Sequence, residues 1–370
     1  MKLRPVGGAV ALFLASFPIT YVLNGLASME QPLVIVAVGF GALIFSFAFV
    51  YIPSRSQDPL YYVCMVFSFT AGFDLIIALG EDGIMSNIMG FYMKEGERYL
   101  STAYGIMICY WDAIVHFALY LLMIAAIAER KSYRHVGLYW FGSIAMSMIV
   151  FLPGNVVGKY GTEIRPAFLL NVPYLLIPFW ALTRIFAQPK TLPIVTADKV
   201  SEEQLKSVFQ RPLDLGLMGF LLFAAGFTLF RGLVVLDCPA DACFNYIHQQ
   251  EPSLHDPVAY PKVQMLVYLF YVLPYFCLCL YGLLFPGCSW MPDWAVVFAG
   301  AIAQAQFSHI GSSLHSHTPF PYRTPEGAWW PVVLLNVAYA VGPQLLAYRC
   351  LRNPAFFSLV AARDEDKKKQ

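Results

Sequence analysis

Long apolar runs broken by short polar stretches set the pattern of this chain. Ten runs of roughly 20 residues recur, at 8–27, 32–52, 60–80, 102–128, 137–157, 166–187, 213–236, 263–285, 294–314 and 328–350. A bilayer core of ~30 Å needs about 20 apolar residues per helix, so the pattern predicts an all-α polytopic membrane protein with ten transmembrane helices. Strands of a membrane barrel would alternate in ~10-residue segments, and these runs are continuous. The first run follows Lys2 and Arg4 as a signal peptide would. It exceeds the ~7–15 residues of a signal core and lacks a small-residue cleavage site, so a retained helix is expected.

The runs fall into a repeat. "LLNVPYLLIPFWALTR" (169–184) is echoed by "LLNVAYAVGPQLLAYR" (334–349), and "AGF" at 71–73 by "AGF" at 225–227. In both copies a Glu follows 24 positions after the Phe, at Glu97 and Glu251. Expected units are therefore two leading helices (1–57), a first four-helix unit (58–187), a linker (188–212), a second four-helix unit (213–351) and a charged tail (352–370). Each unit starts and ends on the same side, which makes the repeats parallel, unlike the inverted repeats of many transporters.

Charge then gives orientation. Hydrophobic residues make up 58% of the 370 and charged ones only 13%, against roughly 25% charged in soluble domains. The net charge of +1 offers no pull toward nucleic acid. With the N-terminus in the cytosol, most Lys and Arg residues, Arg55, Arg130, Arg184 and Arg349 among them, fall on the cytosolic side, as the positive-inside rule requires. Both termini are then cytosolic. Cys238 and Cys243 fall in a lumenal loop, where a disulfide is expected; no nearby second pair completes a tetrahedral metal site, and no metal or cofactor is expected. Lys367 and Lys368 stand where a dilysine retrieval signal to the endoplasmic reticulum would stand, although a solvated charged tail explains them as well.

Ionisable groups inside apolar runs are costly and mark function by default. Asp74, Asp112, His116, Asn171 and Tyr174 come from three predicted helices and share one half of the bilayer at 1.5 Å rise per residue. Asp112 and His116 are one turn apart and share a face, so they form either a structural ion pair or the polar floor of a cavity. Two neighbouring carboxyls push one pKa upward. Pro173, Pro178, Pro274 and Pro343 interrupt their helices and suggest space between them. In the second unit Thr228 stands where Asp74 stood, and no carboxylate replaces Asp112. Gln306, His309, Asn336 and Tyr339 give that interior a polar but not acidic reading, in which helix packing competes with ligand contact.

The stretches "YWDAIVHFALYL", "FLPGNVVGKYG", "FPGCSWMPD", "FRGLVVLDCPADACF", "EIRPAF" and "PDWAVVFAG" carry a family likeness that runs nearly end to end. The chain resembles the transmembrane-six superfamily, nearest its member-two type. That superfamily carries two EXPERA domains, shared with the emopamil-binding sterol isomerase and the sigma-two receptor. The resemblance implies residence in the endoplasmic reticulum and the ER–Golgi intermediate compartment. It also implies a part in triglyceride secretion in lipoproteins and in lipid droplet content. On the isomerase pattern Asp74 takes a His position, Ala78 a Glu position and Asp112 the Glu of the next helix; Asn171 matches an Asn, and Tyr174 stands for a Trp. Two acids survive, as in the sigma-two receptor, which binds cationic amphiphiles and sterols. The expected function is therefore non-enzymatic binding of a sterol-like or amphiphilic lipid at Asp74, Asp112, His116, Asn171 and Tyr174. The alternatives are a sterol double-bond isomerase working through Asp74 and Asp112, which needs a positioned acid and base, and a scaffold for lipoprotein-assembly proteins.

Overall fold

The computed structural model describes residues 3–54 and 58–359. Arg55, Lys367, Lys368 and the tail beyond 359 lie outside the described residues. Ten long helices run through the described residues: α1 Leu3–Asn24, α2 Pro32–Ser54, α3 Pro59–Glu81, α4 Ala103–Ala128, α5 Arg134–Val157, α6 Pro166–Ala187, α7 Pro212–Val235, α8 Tyr260–Leu284, α9 Met291–Leu314 and α10 Trp329–Arg352. No strand occurs among the described residues. All but α9 are both long and apolar enough to cross a membrane. The ninth predicted run does form a 24-residue helix, but Gln304, Gln306, Ser308, His309, Ser312 and Ser313 make it less apolar than its neighbours. All six of those side chains are buried, so they meet protein rather than lipid, the one place where polar groups at membrane depth are tolerated.

Helix starts follow local chemistry. Asp58 Oδ1 caps α3 by accepting from the Leu60 N–H at 3.0 Å, with Pro59 in the first turn. Thr102 Oγ1 caps α4 by accepting from the Gly105 N–H at 3.1 Å; such caps contribute about 1 kcal/mol. The prolines break less than the sequence suggests. Pro173 and Pro274 sit in the first turn of the α-helical segments Val172–Ala187 and Leu273–Leu284, where a missing N–H costs little. Pro178 and Pro343 lie inside helices that continue through them.

α5 and α9 form the central seam. An added Cβ at Gly142 would collide with the Val297 backbone, and one at Gly300 with the Tyr139 backbone, so these glycines let two helix backbones touch, as small residues do in membrane bundles. At one end of the seam Arg134 grips Asp293 through two parallel bonds of 3.0 and 2.8 Å. Nearby, Arg349 binds Asp214 with bonds of 2.6 and 2.9 Å. The seam joins the α3–α6 bundle to the α7–α10 bundle, and α1 and α2 lie along the outside of the first, α1 against α3 and α2 against α3 and the first turn of α6.

Candidate functional site

Between α2, α3, α4 and α6 lies a cavity of about 190 Å³. Its walls are apolar, with Leu23, Ile35, Phe69, Phe73 and Leu170 among them. Asp74, Asp112, His116, Asn171 and Tyr174 all line it. The five sequence-predicted positions are thus brought together from three helices.

α4 presents Asp112 through a local defect. Residues Asp112–His116 form one turn of π-helix inside an otherwise α-helical span. Such single-turn bulges re-aim side chains and recur at functional sites. Asp112 Oδ1 bonds His116 Nδ1 at 2.7 Å, and His116 Nε2 bonds Ser143 Oγ at 2.8 Å. Trp111 donates its indole N–H to the same Ser143 Oγ at 2.8 Å. The connectivity is that of a serine-hydrolase triad, yet Ser143 is fully buried behind the cavity wall and engaged by Trp111. Ser143 therefore locks the ring orientation of His116 rather than offering a nucleophile. The Asp112–His116 contact and the polar floor were alternatives in the sequence; in the structure the two residues bond each other and both line the cavity.

Asp74 does have a partner. Cys109 Sγ approaches its Oδ1 at 3.6 Å, and Asp112 shares the cavity wall with it. Asp112 Oδ2 is buried without a donor.

The sequence reading missed a third acid here. Glu97 precedes the 3-10 turn Arg98–Ser101, is 5% exposed and lines the cavity. It accepts from Tyr92 Oη at 2.5 Å and from Tyr99 and Asn171. Burial pushes the Glu97 carboxyl up from its ordinary value, and these three donors offset only part of that rise. The signal was available, since Glu97 and Asn171 both recur in the repeat. Tyr174 stacks on Phe67 with centroids 4.7 Å apart, which fixes its ring at the cavity edge.

The second bundle places Thr228, Gln306, His309, Asn336 and Tyr339 together as well, all of them buried. Thr228 Oγ1 bonds Tyr339 Oη at 2.6 Å, and Gln306 Nε2 donates to Asn336 Oδ1 at 2.9 Å. The polar but not acidic reading is corrected: Glu251 reaches in from the loop before α8, fully buried, and bonds His309 Nε2 at 2.7 Å. It accepts from Tyr246 Oη at 2.5 Å and Asn336 Nδ2 at 3.0 Å. Arg231, also fully buried, donates to Asn336 Oδ1 at 2.8 Å and to Glu251 at 3.5 Å. Its guanidinium lies 4.3 Å from the Phe227 ring centroid and 5.3 Å from that of Tyr339, which satisfies the face that hydrogen bonds leave open. Burial by itself would raise the Glu251 carboxyl, but Arg231 and His309 outweigh it and hold the group well below the usual carboxylate range. Tyr246–Glu251–Asn336 thus repeats Tyr92–Glu97–Asn171, with an arginine filling the place that is open in the first bundle. Both bundles also carry a π-helical turn, the second at Tyr268–Val272.

The expected Cys238–Cys243 disulfide is corrected: both are free thiols, between α7 and α8. Among the described residues no three His, Cys, Asp or Glu side chains gather closely enough to hold a metal ion.

Residues 15–196 match a family described as transmembrane 6 superfamily member 2-like, transmembrane domain, and residues 240–350 match the EXPERA family. Proteins named transmembrane 6 superfamily member 2 are 56% identical in Mus musculus over 380 residues and 57% identical in Rattus norvegicus over 378, each match covering 100% of both chains. The Homo sapiens protein of that name is 57% identical over 363 residues, 96% of both chains. The chain belongs to the transmembrane 6 superfamily member 2 family. It is a multi-pass membrane protein of a lipid-related family. The EXPERA match falls on the bundle that Arg231 fills, whereas the cavity lies within the stretch matched by the family's own transmembrane domain. No solved structure matches the chain.

Proposed function

We propose that this chain binds a sterol-like or amphiphilic lipid in the first-bundle cavity. The lipid's polar end rests on Asp74, Asp112, His116, Asn171 and Tyr174, to which Glu97 is now added. One observation carries the reading: three acids from separate parts of the chain, Asp112 and Glu97 buried and Asp74 half-buried, open on a single apolar-walled cavity. Small-ligand sites are mostly apolar with a few placed polar groups, and this one has that make-up. Binding without turnover is the better reading, because Ala78, in the place of the isomerase glutamate, is fully buried and brings no acid or base.

Under this proposal the chain is built as two leading helices and two parallel EXPERA units, 58–187 and 213–351. The shared Tyr–Glu–Asn seat and the paired π-turns support that division. The protein resides in the endoplasmic reticulum and the intermediate compartment with both termini cytosolic. There its lipid occupancy regulates triglyceride secretion in lipoproteins and lipid droplet content, with lipoprotein-assembly proteins as partners. Native mass spectrometry of the purified protein tests the binding step. A lipid retained by wild type and lost from Asp74→Ala/Asp112→Ala is expected. Equal retention by both, with the variant folded, overturns the proposal.

A further inference from the structure

A second cavity, of about 350 Å³, lies away from the acids, where the two bundles meet at one end. Its walls come from the start of α4, the end of α5, the loop before α8 and the loop after α9. The segments are tied in two pairs: the Lys159 N–H donates to Pro257 O at 2.8 Å, and His317 Nδ1 bonds Ser101 O at 2.9 Å. Alternation of the spans puts this end opposite Leu3, at the aqueous face. At ~30 Å³ per water the space corresponds to on the order of ten waters, and its volume lies within the ~300–1,000 Å³ of small-ligand sites.

The lining hydroxyls have a common polarity. Ser101, Thr102 and Thr318 donate their protons to the backbone carbonyls of Arg98, Tyr99 and Ser312, at 2.8, 2.7 and 2.6 Å. Ser312 donates to His309 O at 3.3 Å. With their hydrogens committed, these groups have lone pairs left to offer. Asp256, 8% exposed, adds a carboxylate whose Oδ1 accepts from the Val258 N–H at 3.0 Å. Lys159 is the one ammonium in the wall. Ser253, 2% exposed, has its Oγ buried with no partner at all. Buried hydroxyls are normally paired, and this one is the unpaired group of the wall. Between the polar groups stand flat apolar faces: Tyr160, Tyr260, Tyr322, Pro257, Pro261 and Pro319.

A wall rich in acceptors and holding an acid repels phosphate and sulfate. It suits a neutral ring that carries many hydroxyl donors and presents C–H faces to tyrosine and proline. We infer that this inter-bundle cavity binds a single polyhydroxylated ring, a hexose or inositol. The ring is either the headgroup of a glycolipid or the end of a free glycan. Bound there it bridges the bundles, with Thr102 and Lys159 on one side and Ser253, Asp256 and Thr318 on the other.

Saturation-transfer NMR on the full-length protein in phosphatidylcholine nanodiscs tests this, with methyl β-glucoside, myo-inositol and inorganic phosphate as separate probes. Saturable binding of one of the polyols is expected, weakened at least tenfold in Ser253→Ala and in Lys159→Met, and unchanged in Asp74→Ala/Asp112→Ala. Lys159 is exposed, so its variant reports on binding even if Ser253→Ala folds poorly. Loss of the signal in nanodiscs containing glucosylceramide identifies a lipid headgroup; a persisting signal identifies a free glycan; either supports the site. No polyol binding, phosphate binding in preference to both polyols, or full binding by the two variants overturns it.

Discussion

Glu251→Gln is the sharpest perturbation of the account, because it strips the counter-charge from Arg231 without changing size. Both side chains are fully buried, and Glu251 also accepts from His309, Tyr246 and Asn336. Removing one partner of a buried ion pair costs about 3–5 kcal/mol, because the remaining charge is left without compensation. For a chain of this size that is a fall in Tm of about 5 °C. Arg231→Met alone strands the carboxylate and falls similarly. The double variant removes both charges, and well-packed apolar replacement of a buried pair is often neutral or stabilising, so it recovers most of the loss. Thermal unfolding of purified protein can be followed with a thiol-reactive dye, since Cys64, Cys109, Cys279 and Cys350 are buried and become reactive on unfolding. A Glu251→Gln shift under about 2 °C, or a double variant as unstable as the sum of the singles, refutes the argument that Arg231 fills the second seat as a compensated ion pair.

Glu97 behaves in the opposite sense. Its folded pKa is raised, so ionisation opposes folding: its cost is absent below the unfolded carboxylate value near 4.3 and full above the folded value. Glu97→Gln therefore raises Tm at pH 7.4 but not near pH 4, as paired melting curves at the two pH values will show. The Glu251 contribution has the reverse sign, present above the unfolded value and lost only as pH falls through its depressed folded value. Gly142→Val drives a side chain into the Val297 backbone and abolishes recovery of monodisperse protein by size-exclusion chromatography, whereas Gly216→Val, where nothing lies within 4 Å of the added Cβ, leaves it intact. Ser143→Ala removes the hydroxyl shared by His116 and Trp111; it costs about 1–3 kcal/mol in the unfolding assay and leaves lipid identity in mass spectrometry unchanged.

Much of the site is legible in the sequence because membrane spans make polar residues conspicuous. Asp74, Asp112, His116, Asn171 and Tyr174 stand out against apolar neighbours, and helix rise alone places them at similar depth. Glu97 and Glu251 are hidden by the same logic: they sit in polar loops, where a glutamate looks solvated, and only the fold turns those loops inward. Arg231 is a lone cation in "FTLFRGLVV", visible as a cost, but its partners lie 20 and 105 positions away. The π-turn at Asp112–His116 leaves no composition signal. Helix α9 shows the limit of hydropathy, which scores exposure to lipid and is blind to a polar helix buried among others.

The central claim is that the acids of the first bundle hold a lipid's polar end while the second bundle is filled by its own arginine. A photoactivatable sterol whose reactive group lies beside its hydroxyl, crosslinked in membranes and mapped by peptide mass spectrometry, tests it most directly. The account predicts labelling within 59–81, 103–128 and 166–187, reduced in Asp74→Ala/Asp112→Ala, with no specific labelling in 212–235 or 260–284. Specific labelling confined to the second bundle, or labelling of the first that ignores the loss of both aspartates, contradicts it.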